Sequence, residues 1–454
     1  MLNLTPKEIT ERSALRINPA KTCQPVGAMY AALGVHRCMP HSHGSQGCCS
    51  YHRTYLTRHF KDPAIASSSS FTEGASVFGG GSNLKTAVKN IFDIYKPDII
   101  AVHTTCLSET IGDDVGAFIQ DMDIEDGKYV VHCHTPSYVG SHITGYGNMI
   151  AGFIKYLSKS TGKSNGRLNV IPGFVNPGDM RELKRILELM NINFIMLPDT
   201  SGVLDAPMLG SYVMYPPGGT TIENIEAMGD SPLTLALGEL TCETPANELK
   251  RKCGVDYKCL PLPMGVEATD QFLMELSSFS GREIPYALEE ERGQLMDILL
   301  DAYPYFHGRK VAIYGDPDTV LGITSLVLEM GMIPKYVITG TPGEAFTEKA
   351  EEMFARYEVT DCKAKASADL FELHQWIKNE RVDLLIGGSH GKQIAKAEDI
   401  PIVRAGFPIL DRYVHSYMPL VGYRGAIRLV ELILNALMDR QDRDCADEDL
   451  EMVM

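Results

Sequence analysis

Short apolar runs, each too brief for a helix and each bounded by Pro, Gly, Asp or Asn, recur along this sequence with amphipathic stretches between them. They are DIIAV (98–102), YVVHC (129–133), LNVIPGF (168–174), FIMLP (194–198), KVAIYG (310–315), KYVIT (335–339), VDLLIGG (382–388) and IPIVRAGF (400–407). Their length and their β-branched or aliphatic content mark them as strands buried on both faces. The intervening stretches have helical spacing. In one, Leu84, Val88, Ile91, Phe92 and Tyr95 form a stripe behind Ser82 as the expected N-cap. Strand and helix in repeated alternation imply parallel pairing with helices on both faces of each sheet. The expected fold class is α/β: three Rossmann-like domains, each a mostly parallel sheet flanked by helices.

An internal echo supports three units. VIPGFVNPGDMRELKRILELMNINFIML (170–197) lines up with VAIYGDPDTVLGITSLVLEMGMIPKYVIT (311–339), both reading strand, Pro/Asp turn, helix, strand. NLKTAVKNIFDIYKPDIIAV (83–102) similarly parallels DLFELHQWIKNERVDLLIGG (369–388). The expected domains are 1–160, 161–300 and 301–454, the last with a C-terminal helix and a solvated, mostly acidic tail from Asp439. A Gly-, Pro- and Tyr-rich excursion spans Pro207 to Gly229.

Composition narrows the function. A formal net charge of −16 disfavours a nucleic-acid partner, since no Lys/Arg run offers a phosphate footprint. The opening MLNLTPKEITER lacks the apolar core of a secretory signal, and the longest apolar candidate, Leu429 to Met438, is interrupted by Glu431 and Asn435. A cytoplasmic protein with no membrane partner is expected. The eleven cysteines are odd in number and scattered, which argues against a disulfide framework.

Two motifs are discounted. Gly162-Lys163-Ser164 resembles the end of a phosphate loop, but Leu157 stands where the loop needs glycine. Gly387-Gly388-Ser389-His390-Gly391 fits the nucleophile elbow after a strand, with Asp411 and His415 later in hydrolase order. A Ser389 hydrolase is therefore the non-redox alternative, against an ordinary Gly-rich strand-to-loop turn. Phe78-Gly79-Gly80-Gly81-Ser82 reads either as a flexible start to a helix or as a backbone surface with Phe78 as an exposed apolar tip.

The early cysteines carry more. Cys106 follows a strand, at the edge where parallel sheets bind ligands. Cys48 follows Gly47 at the start of a helical stretch, where free N–H groups stabilise a thiolate. Cys23 precedes Gln-Pro, a rigid non-helical turn. Spacings of 25 and 58 residues do not match the close pairs of zinc sites. Soft thiolates suit iron–sulfur clusters, and three are one short of an ordinary four-iron site, so a fourth ligand or another subunit would have to contribute. Buried free cysteines remain the plainer alternative.

INPAKTCQPVGA, HGSQGCCSY, TEGASVFGGGSN, DIIAVHTTCLSETIGDD, HTPSYVGSHITG and VNPGDMRELKRIL closely resemble the β chains of nitrogenase molybdenum–iron proteins, in their compact clostridial form. The likeness runs from about Leu15 to the C-terminus and includes GDPD (315–318) and GFPILDRY (406–413). It implies that Cys23, Cys48 and Cys106 ligate the P-cluster, an [8Fe-7S] centre shared with an α chain, with Cys48 bridging its halves and Ser137 ligating when it is oxidised. A hydroxyl suits the harder, oxidised iron. Cys49 aligns with no ligand. The family's iron protein, an ATP-hydrolysing reductase, would dock over Phe78, with Tyr51 near the electron path. Electrons would reach an iron–molybdenum cofactor with homocitrate in the α chain of an α2β2 assembly. Residues 1–160 would be the P-cluster domain.

The resemblance also implies a cation (iron, calcium or magnesium) between two β chains, near Asp297 and Asp301, which are spaced i, i+4 in QLMDILLDAY. The family's arginine–glutamate pair reads Lys61-Asp62 here. A non-catalytic cofactor-assembly scaffold is the related alternative; it is expected to lack part of the ligand set. The heterometal does not follow from this chain.

Overall fold

The computed structural model describes residues 4–9, 12, 16–208 and 210–450. The chain forms two compact units, Lys21–Pro261 and Met1–Ala20 with Leu262–Met454. Among the described residues, all three of their sheets are parallel.

The Lys21–Pro261 unit holds two four-stranded sheets. The first contains β1 (Cys38–His43), β2 (Ser67–Ser68), β3 (Ile99–Thr104) and β4 (Tyr129–Cys133), in the order β2-β1-β3-β4. The second contains β5 (Leu168–Ile171), β6 (Phe194–Met196), β7 (Leu233–Leu237) and β8 (Tyr257–Leu260), in the order β6-β5-β7-β8. In both, the chain adds one strand on one side and then crosses to the other, which places a topological switch point between the first and third strands.

Seven helices accompany the first sheet: α1 (Gln24–Leu33), α2 (Gln46–Phe60), α3 (Glu73–Phe78), α4 (Gly81–Tyr95), α5 (Cys106–Ile111), α6 (Val115–Gln120) and α7 (His142–Leu157). The amphipathic α4 buries Leu84, Val88 and Ile91 against Met39, Ile100, Val102 and Val115. It begins one residue before Ser82, with Gly80 at the N-cap position. Ser82 is not the cap, because the Asp113 carboxylate already accepts the Gly80 N–H at 3.0 Å and fixes the turn there. Helix α1 is buried along its whole length and crosses α7 backbone to backbone. A Cβ on Gly27 would lie 1.7 Å from the His142 carbonyl oxygen, and one on Gly145 would lie 2.0 Å from that of Gln24. Only glycine permits this seam.

The other unit holds a five-stranded sheet of β9 (Lys310–Gly315), β10 (Ile333–Thr339), β11 (Lys363–Lys365), β12 (Leu384–Gly387) and β13 (Ile402–Arg404), in the order β11-β10-β9-β12-β13. Trp376 and Leu373 pack under it with Tyr336, Ile338 and Leu385. The helices Glu267–Ser280 and Tyr286–Phe306 belong to this unit, although they lie within the sequence range 161–300. Glu329 accepts the Val266 and Glu267 N–H groups at 2.8 and 3.0 Å and so caps the first of them. The C-terminal helix runs Gly422–Asp444; its Arg440 and Arg443 grip Asp399 at 2.9 and 2.8 Å, so the start of the charged tail is tethered rather than freely solvated. Among the described residues no helix is long and apolar enough to cross a membrane.

Candidate metal centre

Three neighbouring strands deliver the candidate residues at their carboxyl ends. His43 at the end of β1 pairs with Thr104 at the end of β3, and β3 pairs with β4 through His103 and Cys133. Beyond β1, Ser45 caps α2 and Cys48 is its third residue. Beyond β3, Thr105 caps α5 in a reciprocal capping box with Ser108, and Cys106 is the first helical residue. Beyond β4, a turn carries Ser137. Cys48 and Cys106 thus flank the switch point of the sheet.

Cys23 arrives from a different direction, as the N-cap of α1, with Pro25 in the first turn. Its neighbour Gln24 donates from Nε2 to the carbonyls of Pro136 and Val139, both at 3.0 Å. Lys21 donates to the Gly140 carbonyl at 2.7 Å. These bonds hold the Ser137 turn against the start of α1, and the glycine seam between α1 and α7 fixes the height at which they meet.

The result is one continuous set of donors. Ser137 and Cys48 both bear electrostatically on the Cys23 sulfur, and Cys106 bears on that of Cys48, so the four lie near one another. Burial pushes the Cys23 thiol up; the nearby Thr22 and Ser137 hydroxyls work against this, and Cys48 adds to it. Burial also raises the Cys48 thiol, followed by repulsion from Cys106 and Cys49. Three thiolates gathered this way repel one another unless a cationic core lies among them. Ionised, such a set could hold a metal cluster. Among the described residues, no three His, Cys, Asp or Glu side chains converge tightly enough to hold a single ion. A polynuclear cluster, with thiolates spread over several irons, has no such requirement. Cys106 is exposed, so the set is open on one side.

Cys49 turns away from this group. It is buried and donates to the Ser67 carbonyl at 3.3 Å. His52, one helical turn beyond Cys48, places Nε2 at 3.3 Å from the Cys23 sulfur. Burial lowers His52 to about 4, so the ring is neutral and can donate its single N–H to the sulfur. The sequence reading missed this contact; a histidine four residues after Cys48 on one helix face was the available signal. Beneath the site lies a buried polar layer. His103 meets the Ser42 hydroxyl at 2.7 Å, and His41 meets Ser67 and Ser69 at 2.9 and 2.8 Å.

Phe78 ends α3 and is 90% exposed, next to exposed Val77. Gly79 follows with φ +97°, a left-handed turn that throws the tip outward. Tyr51 is half exposed on α2, tilted against Tyr55 with centroids 5.5 Å apart.

Asp297 and Asp301 are both exposed on the helix Tyr286–Phe306. In the other unit, Lys61 closes α2 at φ +67°, and burial raises the Asp62 carboxyl. Ser389 is buried; its hydroxyl donates to Asp411 and accepts the Leu410 N–H at 2.7 Å. Arg404 holds the same carboxylate at 2.9 Å. The hydroxyl therefore pins a loop to an ion-paired acid, an arrangement that neither activates nor exposes a nucleophile.

Known proteins resemble this chain over its whole length. The profile of the nitrogenase component 1 type oxidoreductases matches residues 23–438. The nitrogenase molybdenum–iron protein beta chain of Clostridium pasteurianum is 61% identical, with both chains covered in full. That of a Nostoc species is 42% identical over 95% of this chain and 86% of the relative. The solved structure of nitrogenase Cp1 at pH 6.5 superposes with a TM-score of 0.99 at 60% identity, over 100% of both chains. A second Cp1 chain, solved at pH 5, is 18% identical with a TM-score of 0.70 and shares the fold. The chain belongs to the nitrogenase component 1 type oxidoreductases, among the molybdenum–iron protein β chains.

Proposed function

We propose that this chain is the β subunit of a dinitrogenase, holding the P-cluster jointly with an α chain in an α2β2 assembly. Cys23, Cys48 and Cys106 would supply its thiolates from this side, with Ser137 as an oxygen ligand on oxidation. The bound cluster would supply electron relay, from an ATP-hydrolysing iron protein seated over Phe78 to an iron–molybdenum cofactor with homocitrate in the α chain, where dinitrogen becomes ammonia. This chain's own work is to orient. The Gln24 and Lys21 bonds set Ser137 against Cys23, the Thr105–Ser108 box sets Cys106, and His52 offers an N–H to the Cys23 sulfur.

The observation that supports the reading is that Cys48 and Cys106 open the helices beyond β1 and β3, while Gln24 ties the Ser137 turn to the start of α1 beside Cys23, with Cys106 exposed. An open donor set invites completion by a second chain. Retention of all four residues favours the enzyme over an assembly scaffold.

The test is co-purification with the α partner, followed by iron counting and redox-dependent EPR on native, Cys48→Ala and Cys49→Ala proteins. Cys48→Ala should lose P-cluster iron or α pairing, and Cys49→Ala should keep both. Equal iron in the two variants would refute the assignment.

A further inference from the structure

The exposed Phe78 tip and the turn that carries Cys106 are tied to the same short helix. Behind Phe78, the Gly80 N–H donates to both carboxylate oxygens of Asp113, at 3.1 and 3.0 Å. Asp113 lies just beyond the carboxyl end of α5, its side chain only 4% exposed, and its own N–H donates to the Ser108 carbonyl at 3.1 Å. Cys106 is the first residue of that helix. Asp113 also accepts from His43 Nε2 at 3.0 Å, while His43 Nδ1 meets the Ser69 hydroxyl at 2.9 Å. The His43 carbonyl in turn accepts the Thr105 N–H at 3.2 Å and the Ser108 hydroxyl at 2.8 Å. The link therefore closes on both ends of α5.

There is little slack in it. A Cβ on Gly80 would meet the Phe71 ring at 2.1 Å and Asp113 Oδ2 at 2.7 Å. A Cβ on Gly44 would meet Thr105 Oγ1 at 1.9 Å. Phe71 stands edge-on to the His43 ring, with centroids 4.9 Å apart. Close-packed elements of this kind have little room to absorb a displacement.

We propose that Asp113 is a positioning residue that couples the Phe78 docking tip to the Cys106 turn, so that seating of the iron protein changes the surroundings of the Cys106 sulfur. The proposal rests on the P-cluster reading above. It requires no step in which Asp113 touches the cluster; the carboxylate acts through Gly80 on one side and through α5 and His43 on the other.

The experiment uses the assembled α2β2 protein carrying Asp113→Asn. The amide keeps the shape but removes the charge, and its N–H can face His43 only after that ring shifts its proton from Nε2 to Nδ1, so the carboxylate's acceptor bond to His43 is lost. Iron is counted, and the P-cluster midpoint potential is measured with and without bound iron protein. In the native protein docking shifts the potential. In Asp113→Asn with full iron that shift is lost, while the potential of the free protein is unchanged. A merely structural role would alter the iron count or the free potential and leave the docking shift intact; that outcome, or a native protein with no docking shift, overturns the proposal.

If the variant does not assemble, the native protein still decides. Hydrogen exchange of the amides from Thr105 to Gly112 should slow when the iron protein docks, and Phe78→Ala should abolish the effect. Unchanged exchange in the native protein overturns the coupling. A native protein that lacks P-cluster iron overturns the cluster reading instead, and the exchange measurement then judges the mechanical link by itself.

Discussion

The seam between α1 and α7 is the most demanding contact behind the candidate metal centre, and Gly27→Ala tests it. An added methyl would sit 1.7 Å from the His142 carbonyl oxygen, 2.6 Å from its carbon and 2.8 Å from the Tyr146 nitrogen. All three are backbone atoms in a buried crossing, so no side chain can swing aside. Real Cβ contacts essentially never fall below 3.0 Å, so α1 must retreat by at least about 1.3 Å, the difference between 3.0 and 1.7 Å.

Two effects oppose each other. Alanine in a helix gains about 1 kcal/mol over glycine. Overpacking costs about 1–3 kcal/mol, and the retreat breaks both 3.0 Å bonds from Gln24 to the Ser137 turn, about 1 kcal/mol each. The losses win, leaving a net destabilisation of about 2–4 kcal/mol. Cys23 also moves away from Ser137, so iron should fall with stability.

The control is Gly293→Ala, at an exposed position of the helix Tyr286–Phe306, where a Cβ meets nothing within 4 Å. Only the helix-propensity gain applies there, so stability should rise by up to about 1 kcal/mol. The assay is the urea midpoint of each assembled variant, with iron per tetramer counted in parallel. A Gly27→Ala protein with native midpoint and native iron would show that the seam does not position the site.

Two further predictions address the buried histidines and the discounted nucleophile. Burial, and secondarily the charge of His43, lower His41 to about 3, so between about pH 6.5 and 3 the unfolded chain binds a proton that the folded chain refuses. The His41 contribution is therefore complete above about pH 6.5 and declines on acidification by up to about 1.4 kcal/mol per pH unit; His41→Gln should flatten the acid limb of a stability–pH curve, and an unchanged slope would contradict the burial argument. Ser389→Ala should leave acetylene reduction per iron intact while lowering the unfolding midpoint, since it removes the bonds to Asp411 and the Leu410 N–H. Lost activity with full iron content would revive a catalytic role for that residue.

How much of this was legible in the sequence depends on where polarity and packing coincide. β3, β4, β5 and β9 show as apolar runs because helices cover both faces of their sheets. β1 does not. Its sequence, CMPHSH, has a proline and three polar residues, yet every residue in it is buried. It is central to the first sheet and supplies the turn to α2 and Cys48, but no hydrophobic count would find it. The polarity is tolerated because Ser67 and Ser69 satisfy His41, Asp113 satisfies His43, and the Ser42 hydroxyl meets His103. Those partners come from elements as far as 70 residues away, so the compensation is invisible locally.

The cysteines show the converse. Their positions after strands and at helix starts were readable one at a time, since turn chemistry and capping are local. That they meet was not readable from spacing, because the meeting depends on the α1–α7 crossing. Gly27 and Gly145 look like ordinary helical glycines until another backbone is seen pressed against them. The resemblance to a known family is what names Cys23, Cys48, Cys106 and Ser137 as one group. It offered nothing for His52 or for the link through Asp113, which depend on side-chain geometry rather than on motif. Motif residues are the candidates to meet a ligand, whereas the residues that aim them are chosen by the packing around each turn. The sequence therefore indicates what could be bound more readily than how the site is held in place, and the variants at Gly27 and Asp113 test the holding.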